Sequence, residues 1–298
     1  MVTETLTALV QKYCETEVHS VTEVKGGYRN KIYQATTNKG NIILKKHRSA
    51  RETDDFINEV AAYKMLGKCG CRIPALLFAD NAERVLGIQQ LKGKTLEERQ
   101  SSDYYLETVR LLVDTYQKTG HLKDDGTLSF RRLPKEIFEG MKLLKSSGEF
   151  NPSPSFGNYA KRCYELLAKT SPQLIIGSFI PANVIRLNQD YHIDLELVSY
   201  GRPSDDLAYF SLFSGVNMFD VLAASGMNLN ISEDLFLASM MHLGTLASGV
   251  YFADAQEELA EEQRKMIEQR ITNFSSILFK LQRPEFEELA EVLERKKW

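Results

Sequence analysis

The sequence has no excess of basic residues, no long apolar run and no internal repeat. Its 37 Lys and Arg residues against 40 Asp and Glu residues give a net charge of −3, which disfavours nucleic acid or an anionic membrane as a partner. No apolar run approaches the roughly 18 residues of a transmembrane helix, and the first residues lack the basic start and apolar core of a signal peptide. We therefore expect a cytoplasmic protein that contacts neither nucleic acid nor membrane.

The chain is also poor in cysteine. The four cysteines are Cys14, Cys69, Cys71 and Cys163, and their spacing fits no zinc pattern, so we expect unpaired thiols in a reducing compartment. With 298 residues, of which 43% are hydrophobic, the chain is long enough for one large globular domain or two lobes. The sequence does not indicate an oligomeric state.

Strand patterns dominate residues 1–92. Short runs of β-branched and apolar residues end at Gly, Asn or Asp turns, which predicts an antiparallel meander. Between the third and fourth runs, residues 52–66 carry apolar side chains at the three-to-four spacing of one helix face. The predicted strands are residues 19–25, 31–37, 41–47, 74–79 and 84–91.

Helical spacing dominates residues 93–298, apart from one strand-rich segment at 174–208. The sequence therefore predicts an α+β fold, with a small antiparallel-sheet lobe at 1–92 and a larger, mainly helical lobe at 93–298. The NPSPS run at 151–155 is predicted to be a surface loop. The predicted helices are residues 104–118, 135–144, 159–169, 206–214, 234–252 and 256–281, with one more in the last 15 residues.

Two runs of the strand-rich segment form a predicted hairpin. Asn183 begins its first strand and Asp194 lies near the end of its second, so the two side chains can converge. A carboxamide and a carboxylate provide the oxygen ligands that Mg²⁺ prefers. We interpret this pair as a candidate magnesium site.

Three features of the first 92 residues can be combined with this pair into a nucleotide site. Gly26 and Gly27 form a turn whose backbone could approach phosphates, although the same turn is also typical of a plain hairpin. Strand alternation places Lys45 on the same face as Ile43, and Glu59 lies beside the apolar stripe of its helix; each could equally be a solvated residue. Their order along the chain is that of a kinase: glycine turn, strand lysine, helix glutamate and metal ligands.

Four segments resemble the aminoglycoside phosphotransferase and choline kinase-like family, which has a protein kinase-like fold. GGYRNKIYQA resembles its glycine-loop hairpin, IILKK its lysine strand, and LKGKTL its linker. GSFIPANVI, followed by IDLELVSYGRPSDDLA, resembles its catalytic loop and metal-aspartate segment. The resemblance covers about residues 20–210. It implies a protein that binds ATP with Mg²⁺ and acts on a small molecule.

The resemblance also implies a role for each candidate residue in holding ATP and magnesium. Asp206 would instead be structural and would tie the catalytic loop to its own helix. The nucleotide residues are Gly26 and Gly27 at the phosphates, Lys45 at the α- and β-phosphates with its partner Glu59, Gln89 and Leu91 at the adenine, and Asn183 and Asp194 at the magnesium.

The catalytic loop departs from the family pattern. The family has His-Gly-Asp, four residues and Asn, whereas this chain has Ile176, Gly177 and Ser178, then four residues before Asn183. A neutral serine cannot accept a proton from the acceptor hydroxyl near pH 7. Such general base catalysis contributes a factor of roughly 10²–10⁴ to the rate. Glu196 follows the metal aspartate by two residues and points to the same side if the strand continues, so it is a candidate replacement.

Three functions stay open at this point. The chain could be an ATP-dependent phosphotransferase that acts on a small-molecule hydroxyl with an atypical catalytic loop. It could be a pseudokinase, which binds nucleotide or acts as a structural module without phosphotransfer. It could also perform other nucleotidyl chemistry, such as adenylyl transfer, on the same fold. The sequence does not indicate which small molecule would be the acceptor.

Overall fold

A five-stranded antiparallel sheet forms the first part of the fold, with the strand order β1-β2-β3-β5-β4. The computed structural model describes residues 2–24, 30–47, 53–99, 102–128, 132–146, 148, 150–225, 229, 231–254 and 261–295. The predicted strands are all present, with ends shifted by one or two residues. The strands are β1 (Val18–Val24), β2 (Lys31–Thr37), β3 (Gly40–Lys46), β4 (Leu76–Asp80) and β5 (Val85–Gln89).

The two faces of the sheet have different partners. Helix α1 (Val2–Cys14) packs on one face, where Leu44 of β3 is fully buried in a small apolar core. Side chains alternate between the faces of a strand, so Ile43 and Lys45 point to the opposite face and line a cavity. Helix α2 (Thr53–Lys68) follows β3 and brings the fully buried carboxylate of Glu59 to that same side.

Helices make up most of the chain after β5, and they enclose the main apolar core. Among the described residues, no helix combines the length and the apolar character needed to cross a bilayer. The α+β prediction is confirmed. The helices are α3 (Leu96–Arg99), α4 (Ser102–Thr119), α5 (Glu136–Ser146), α6 (Pro154–Lys169), α7 (Pro203–Ser214), α8 (Met218–Ser225), α9 (Glu233–Asp254), α10 (Glu261–Lys280) and α11 (Pro284–Arg295).

Short strands between α6 and α7 carry the candidate catalytic segment. The predicted hairpin is confirmed as β8 (Val184–Arg186) paired with β9 (Asp190–His192), and β6 (Lys94–Thr95) extends it. Strand β7 (Gln173–Ile175) pairs with β10 (Ser199–Gly201). The sequence predicted neither β10 nor this pairing. These pairings place the loop after β7 beside the turn after β9.

Two helix starts differ from the prediction, and both involve proline. Ser153 caps α6 by accepting a hydrogen bond from the amide of Phe156, so the helix begins at Pro154 inside the predicted loop. Helix α7 likewise begins at Pro203, earlier than predicted. Proline suits the first turn of a helix because its missing N–H would have no partner there. Helix α8 was not predicted, and the predicted start of α10 at 256 lies outside the described residues.

Gly177, in the loop after β7, has a positive φ of 75°. A Cβ at this position would lie 2.0 Å from the carbonyl oxygen of Leu197. We expect Gly177→Ala to lower the free energy of unfolding by clearly more than the roughly 1 kcal/mol that the left-handed backbone alone costs an alanine. Gly126→Ala is the control, because Gly126 has a φ of 84° with no atom within 4 Å of the added Cβ. Urea unfolding of both variants checks this, and equal losses would contradict it.

Candidate active site

A cavity of about 830 Å³ lies between the inner face of the sheet and the helices. This volume is within the range of pockets that hold a cofactor or a drug-sized ligand. Gly26 and Gly27 lie outside the described residues, so their predicted place at the phosphates is untested. All the other predicted site residues line this one cavity: Lys45, Glu59, Gln89, Leu91, Ser178, Asn183, Asp194 and Glu196.

The ammonium group of Lys45 is the centre of the charged part of the cavity. Its Nζ lies 2.9 Å from Glu59 Oε2 and 3.2 Å from Glu196 Oε2, and it also donates to Asp194 Oδ1. Lys45 and Glu59 are buried, whereas the Asp194 side chain is 39% exposed. A carboxylate from α2 and two from the segment after β9 thus converge on one cation of β3.

Electrostatics keep the Lys45 side chain charged. Burial alone would lower the pKa of Lys45, but Asp194, Glu59 and Glu196 together outweigh burial and hold that pKa well above its usual value. Burial raises the pKa of Glu196. Lys45 would lower that pKa, but the neighbouring carboxylates of Asp194 and Glu59 oppose its effect. Lys45 therefore stays an ammonium ion, which is the form that can bind a phosphate.

Glu59 is held by a second basic side chain. Its Oε2 lies 2.9 Å from Nε2 of the buried His47. Burial would raise the pKa of Glu59, but Lys45 and then His47 outweigh it and lower that pKa. Among the described residues, His47, Glu59 and Glu196 form one group with metal-ligand spacing. The ammonium of Lys45 already contacts both of its carboxylates, so the lysine supplies the positive charge there.

We expect Glu59→Gln to destabilise the fold by about 1.5–3 kcal/mol, because it replaces the charge-assisted hydrogen bonds of a buried carboxylate to Lys45 and His47 with neutral ones. Glu83→Gln is the matched control, since Glu83 pairs with Lys46 at the surface and exposed pairs contribute about 0–1 kcal/mol. Urea unfolding at neutral pH measures both. Equal stabilities of the two variants would contradict this assignment.

Asp206 shapes the loop that follows β7, as the sequence predicted. Its carboxylate accepts hydrogen bonds from the amides of Ile176 and Gly177, at 2.6 and 2.7 Å, and from the hydroxyl of Tyr116 at 2.6 Å. Burial raises the pKa of Asp206 to about 6 despite these donors. The carboxylate thereby fixes the backbone immediately before Ser178.

Ser178, Asn183 and Asp194 are joined by hydrogen bonds. The buried Ser178 donates its hydroxyl to the backbone carbonyl of Asp194 at 3.1 Å. Asn183 donates its amide nitrogen to the backbone carbonyl of Ser178 at 3.0 Å. With that nitrogen engaged, the amide oxygen is the atom that Asn183 can offer to a cation. One carboxamide oxygen and one carboxylate suit a hard cation such as Mg²⁺.

Apolar packing supports the loop where the family pattern has a histidine. Ile176 is 1% exposed and belongs to the main core. Phe179 is fully buried, stacks on Phe210 at a ring distance of 4.9 Å and meets His192 edge-on. The position of the loop after β7 is therefore set by its packing against the core and by its hydrogen bonds to Asp206.

Glu196 reaches the site by a different route from the predicted one. The strand does not continue, because β9 ends at His192 and Asp194 adopts a left-handed φ of 60°. Glu196 nevertheless contacts Lys45, and it also accepts a hydrogen bond from the amide of Asn30 at 2.9 Å. Asn30 was missed as a site residue, although it belongs to the GGYRNKIYQA segment that carries the family resemblance.

The wall of the cavity on the helical side was not predicted. Apolar residues of α9, including Leu243, Leu246 and Val250, line it. Arg132 and Glu136 at the start of α5 add two charges to the same wall, with Arg132 Nη1 3.5 Å from Glu136 Oε2. No local sequence pattern marks these residues, because their importance comes from where α5 packs.

A protein-family profile matches more than half of the chain. The sequence profile of the phosphotransferase enzyme family, APH, matches residues 20–224. No curated protein sequence matches the chain.

Solved structures show the same fold at low identity. A choline kinase from Streptococcus pneumoniae is 17% identical, with 92% of this chain and 98% of that chain covered and a TM-score of 0.66. A choline/ethanolamine kinase family protein from Mesorhizobium loti is 14% identical, with 99% and 100% covered and a TM-score of 0.67. A spectinomycin phosphotransferase in complex with ADP and spectinomycin is 12% identical, with 98% of each chain covered and a TM-score of 0.63. The predicted kinase-like fold is confirmed.

Proposed function

Because the chain belongs to the phosphotransferase enzyme family, we propose that it binds ATP with magnesium and transfers the γ-phosphoryl group to a hydroxyl of a small molecule. The observation that carries this proposal is the convergence of Lys45, Glu59 and Asp194 in a cavity that Asn183 also lines. These groups match the lysine, its glutamate partner and the metal ligands that phosphoryl transfer requires.

Each residue has a defined task in this proposal. Lys45 leaves Asp194 and binds the α- and β-phosphates, while Glu59 continues to hold its ammonium group. Asn183 and Asp194 would hold the magnesium, which would supply charge neutralisation at the phosphates. Gln89 and Leu91, at the end of β5, contact the adenine. Most of the rate enhancement in such a reaction comes from positioning and charge neutralisation, so the reaction does not depend on an aspartate at position 178.

The acceptor in this proposal is a small molecule with an apolar part. Three proteins with this fold are named for different acceptors: a choline kinase, a macrolide phosphotransferase and a spectinomycin phosphotransferase. The wall formed by Leu243, Leu246 and Val250 is apolar, and the carboxylate of Glu136 on that wall is already matched by Arg132. Glu97 and Glu139 also line the cavity, so an alcohol that carries an apolar part and one positive charge fits as well as a neutral one.

The test is product formation. The purified protein is incubated with MgATP and separately with choline, spectinomycin, a macrolide and simple sugar alcohols, and acceptors are analysed by mass spectrometry. The proposal expects a gain of about 80 Da, one phosphoryl group, on at least one acceptor. A protein that binds ATP and yields no phosphorylated product with any hydroxyl compound would contradict phosphotransfer.

A second candidate is a pseudokinase, and Ser178 favours it. The hydroxyl of Ser178 is buried and donates to a backbone carbonyl, so it cannot act as a base. This candidate predicts tight, magnesium-dependent ATP binding with no ADP release above background. The product analysis above therefore separates the two candidates.

A further inference from the structure

Glu136, the first residue of α5, places a carboxylate on the helical wall of the cavity. Its Oε2 lies 3.3 Å from Nε2 of His242 and 3.5 Å from Nη1 of Arg132. Neither contact has the geometry of a hydrogen bond, and Oε2 has no hydrogen-bond partner although it is buried. Arg132 and His242 thus orient Oε2, while the Glu136 side chain stays 18% exposed at the cavity and leaves its second oxygen to accept a hydrogen bond from a ligand hydroxyl.

Arg132 connects Glu136 to the catalytic loop. Its Nη2 donates to the carbonyl of Gly177 at 3.4 Å, one residue before Ser178. The backbone of Arg132 is also fixed, because its amide donates to the carbonyl of Tyr200 and its carbonyl accepts from Arg202. A single guanidinium group therefore spans from the carboxylate on α5 to the loop where the family aspartate is missing.

His242 holds the carboxylate from behind. It is fully buried, and its Nδ1 lies 3.6 Å from Asp205 Oδ1. Asp205 in turn pairs with Arg202 at 2.7 Å. The imidazole lies between two carboxylates from different helices, so its position and that of Glu136 are set together.

We propose that Glu136 accepts the proton of the attacking hydroxyl and so supplies, from α5, the carboxylate that Ser178 lacks. This inference rests on the proposed phosphotransfer. The hydroxyl oxygen forms a bond to the γ-phosphorus, the bond from that phosphorus to the β–γ bridging oxygen breaks, and ADP leaves. The hydroxyl proton passes to Glu136 and then to water. Arg132 and His242 are positioning residues, because they act through Glu136.

Glu196, the replacement suggested by the sequence, is less suited to this task. Its Oε2 already accepts from Asn30 and from Lys45. It therefore belongs to the side of the cavity that holds the lysine. Glu136 lies on the opposite, helical side, next to the apolar wall where an alcohol would bind.

The charges around Glu136 determine the expected pH dependence. Burial alone would raise the pKa of Glu136, but His242 and then Arg132 outweigh it and lower that pKa. Asp205 and Arg202 face His242 from α7, and Glu139 lines the same cavity. A carboxylate accepts a proton only when it is ionised, so activity falls as the pH falls through the pKa of Glu136. Removal of His242 raises that pKa and moves the loss of activity to higher pH.

The experiment measures ADP release from MgATP with water as the acceptor, for the wild type and three variants. Glu136→Gln should lower kcat by about 10²-fold or more and leave the affinity for MgATP unchanged. His242→Gln should move the acid side of the pH–rate profile to higher pH, which a purely structural role would not do. Glu291→Gln, at an exposed carboxylate on α11, is the control and should change neither quantity.

Thermal unfolding of each variant separates folding from chemistry, and Glu136→Asp provides a second folded variant with the charge kept and the reach shortened. It should retain more activity than Glu136→Gln. A wild-type rate in folded Glu136→Gln would overturn the inference and leave the proposed function intact. A wild type that binds MgATP and releases no ADP would overturn it as well. A wild type that does not bind MgATP would overturn the proposed function itself.

Discussion

Asp194→Asn should lower the affinity for MgATP by about 100-fold or more, which corresponds to roughly 3 kcal/mol. Asp194 has the most exposed carboxylate of the three around Lys45, and it lies at the cavity where Asn183 offers an amide oxygen. The amide of the variant keeps the size of the side chain but loses the negative charge that attracts Mg²⁺. It also loses the charge that pairs with Lys45 in the absence of nucleotide.

The measurement is the rise in unfolding temperature with increasing ATP, with and without Mg²⁺, since a ligand that binds the folded state stabilises it by mass action. In the wild type, Mg²⁺ should increase the rise, and in Asp194→Asn the two curves should coincide. Asp114→Asn is the control, because Asp114 pairs with Lys118 on the surface of α4. If Mg²⁺ increased the rise equally in Asp194→Asn and the wild type, Asp194 would not be a metal ligand.

Ser178→Asp should raise the rate of ADP release by about 10²-fold in a background of Glu136→Gln, because it returns a carboxylate to the position that faces the acceptor in the family pattern. In the wild-type background the gain should be smaller, since Glu136 already accepts the proton. The backbone at Ser178 is fixed by its hydrogen bond to Asn183 and by Asp206 at the two preceding amides. The substitution removes the hydrogen bond from the Ser178 hydroxyl to the carbonyl of Asp194 and keeps these backbone contacts.

Ser178→Asn is the matched control, because it has the shape of aspartate without the charge and should not restore activity. ADP release from MgATP is measured for Ser178→Asp and Ser178→Asn in the Glu136→Gln background, and for Ser178→Asp in the wild-type background. Equal rates for the Asp and Asn variants in the Glu136→Gln background would show that charge at position 178 does not matter. That result would also remove the reason for seeking a replacement base.

Local patterns were enough to predict the sheet and the hairpin, whereas the candidate site was assembled from the kinase-like order of its residues and from the family resemblance. The alternation in β3 that separates Leu44 from Lys45 depends only on the strand period, and the structure shows it directly. Such alternation is visible in a single element, so the sequence can predict it without knowledge of packing. Glu59 lies beside an apolar helix stripe, which is also typical of a solvated residue, and it was identified by the order of the candidates along the chain and by the family resemblance.

The helical wall could not be predicted, because it depends on contacts between distant elements. Glu136 and His242 belong to α5 and α9, and each alone resembles an ordinary helix residue. Glu196 shows a related limit: its place beside Lys45 depends on the left-handed backbone of Asp194, and an assumed strand gave the correct side for the wrong reason. Gly26 and Gly27 stay a prediction from the resemblance.

Calorimetric titration of the wild type with ATP measures whether this cavity binds ATP together with magnesium. We expect saturable binding of one ATP per chain in the presence of Mg²⁺, and weaker binding when Mg²⁺ is chelated. Absence of ATP binding under both conditions, or binding that Mg²⁺ leaves unchanged, would contradict it.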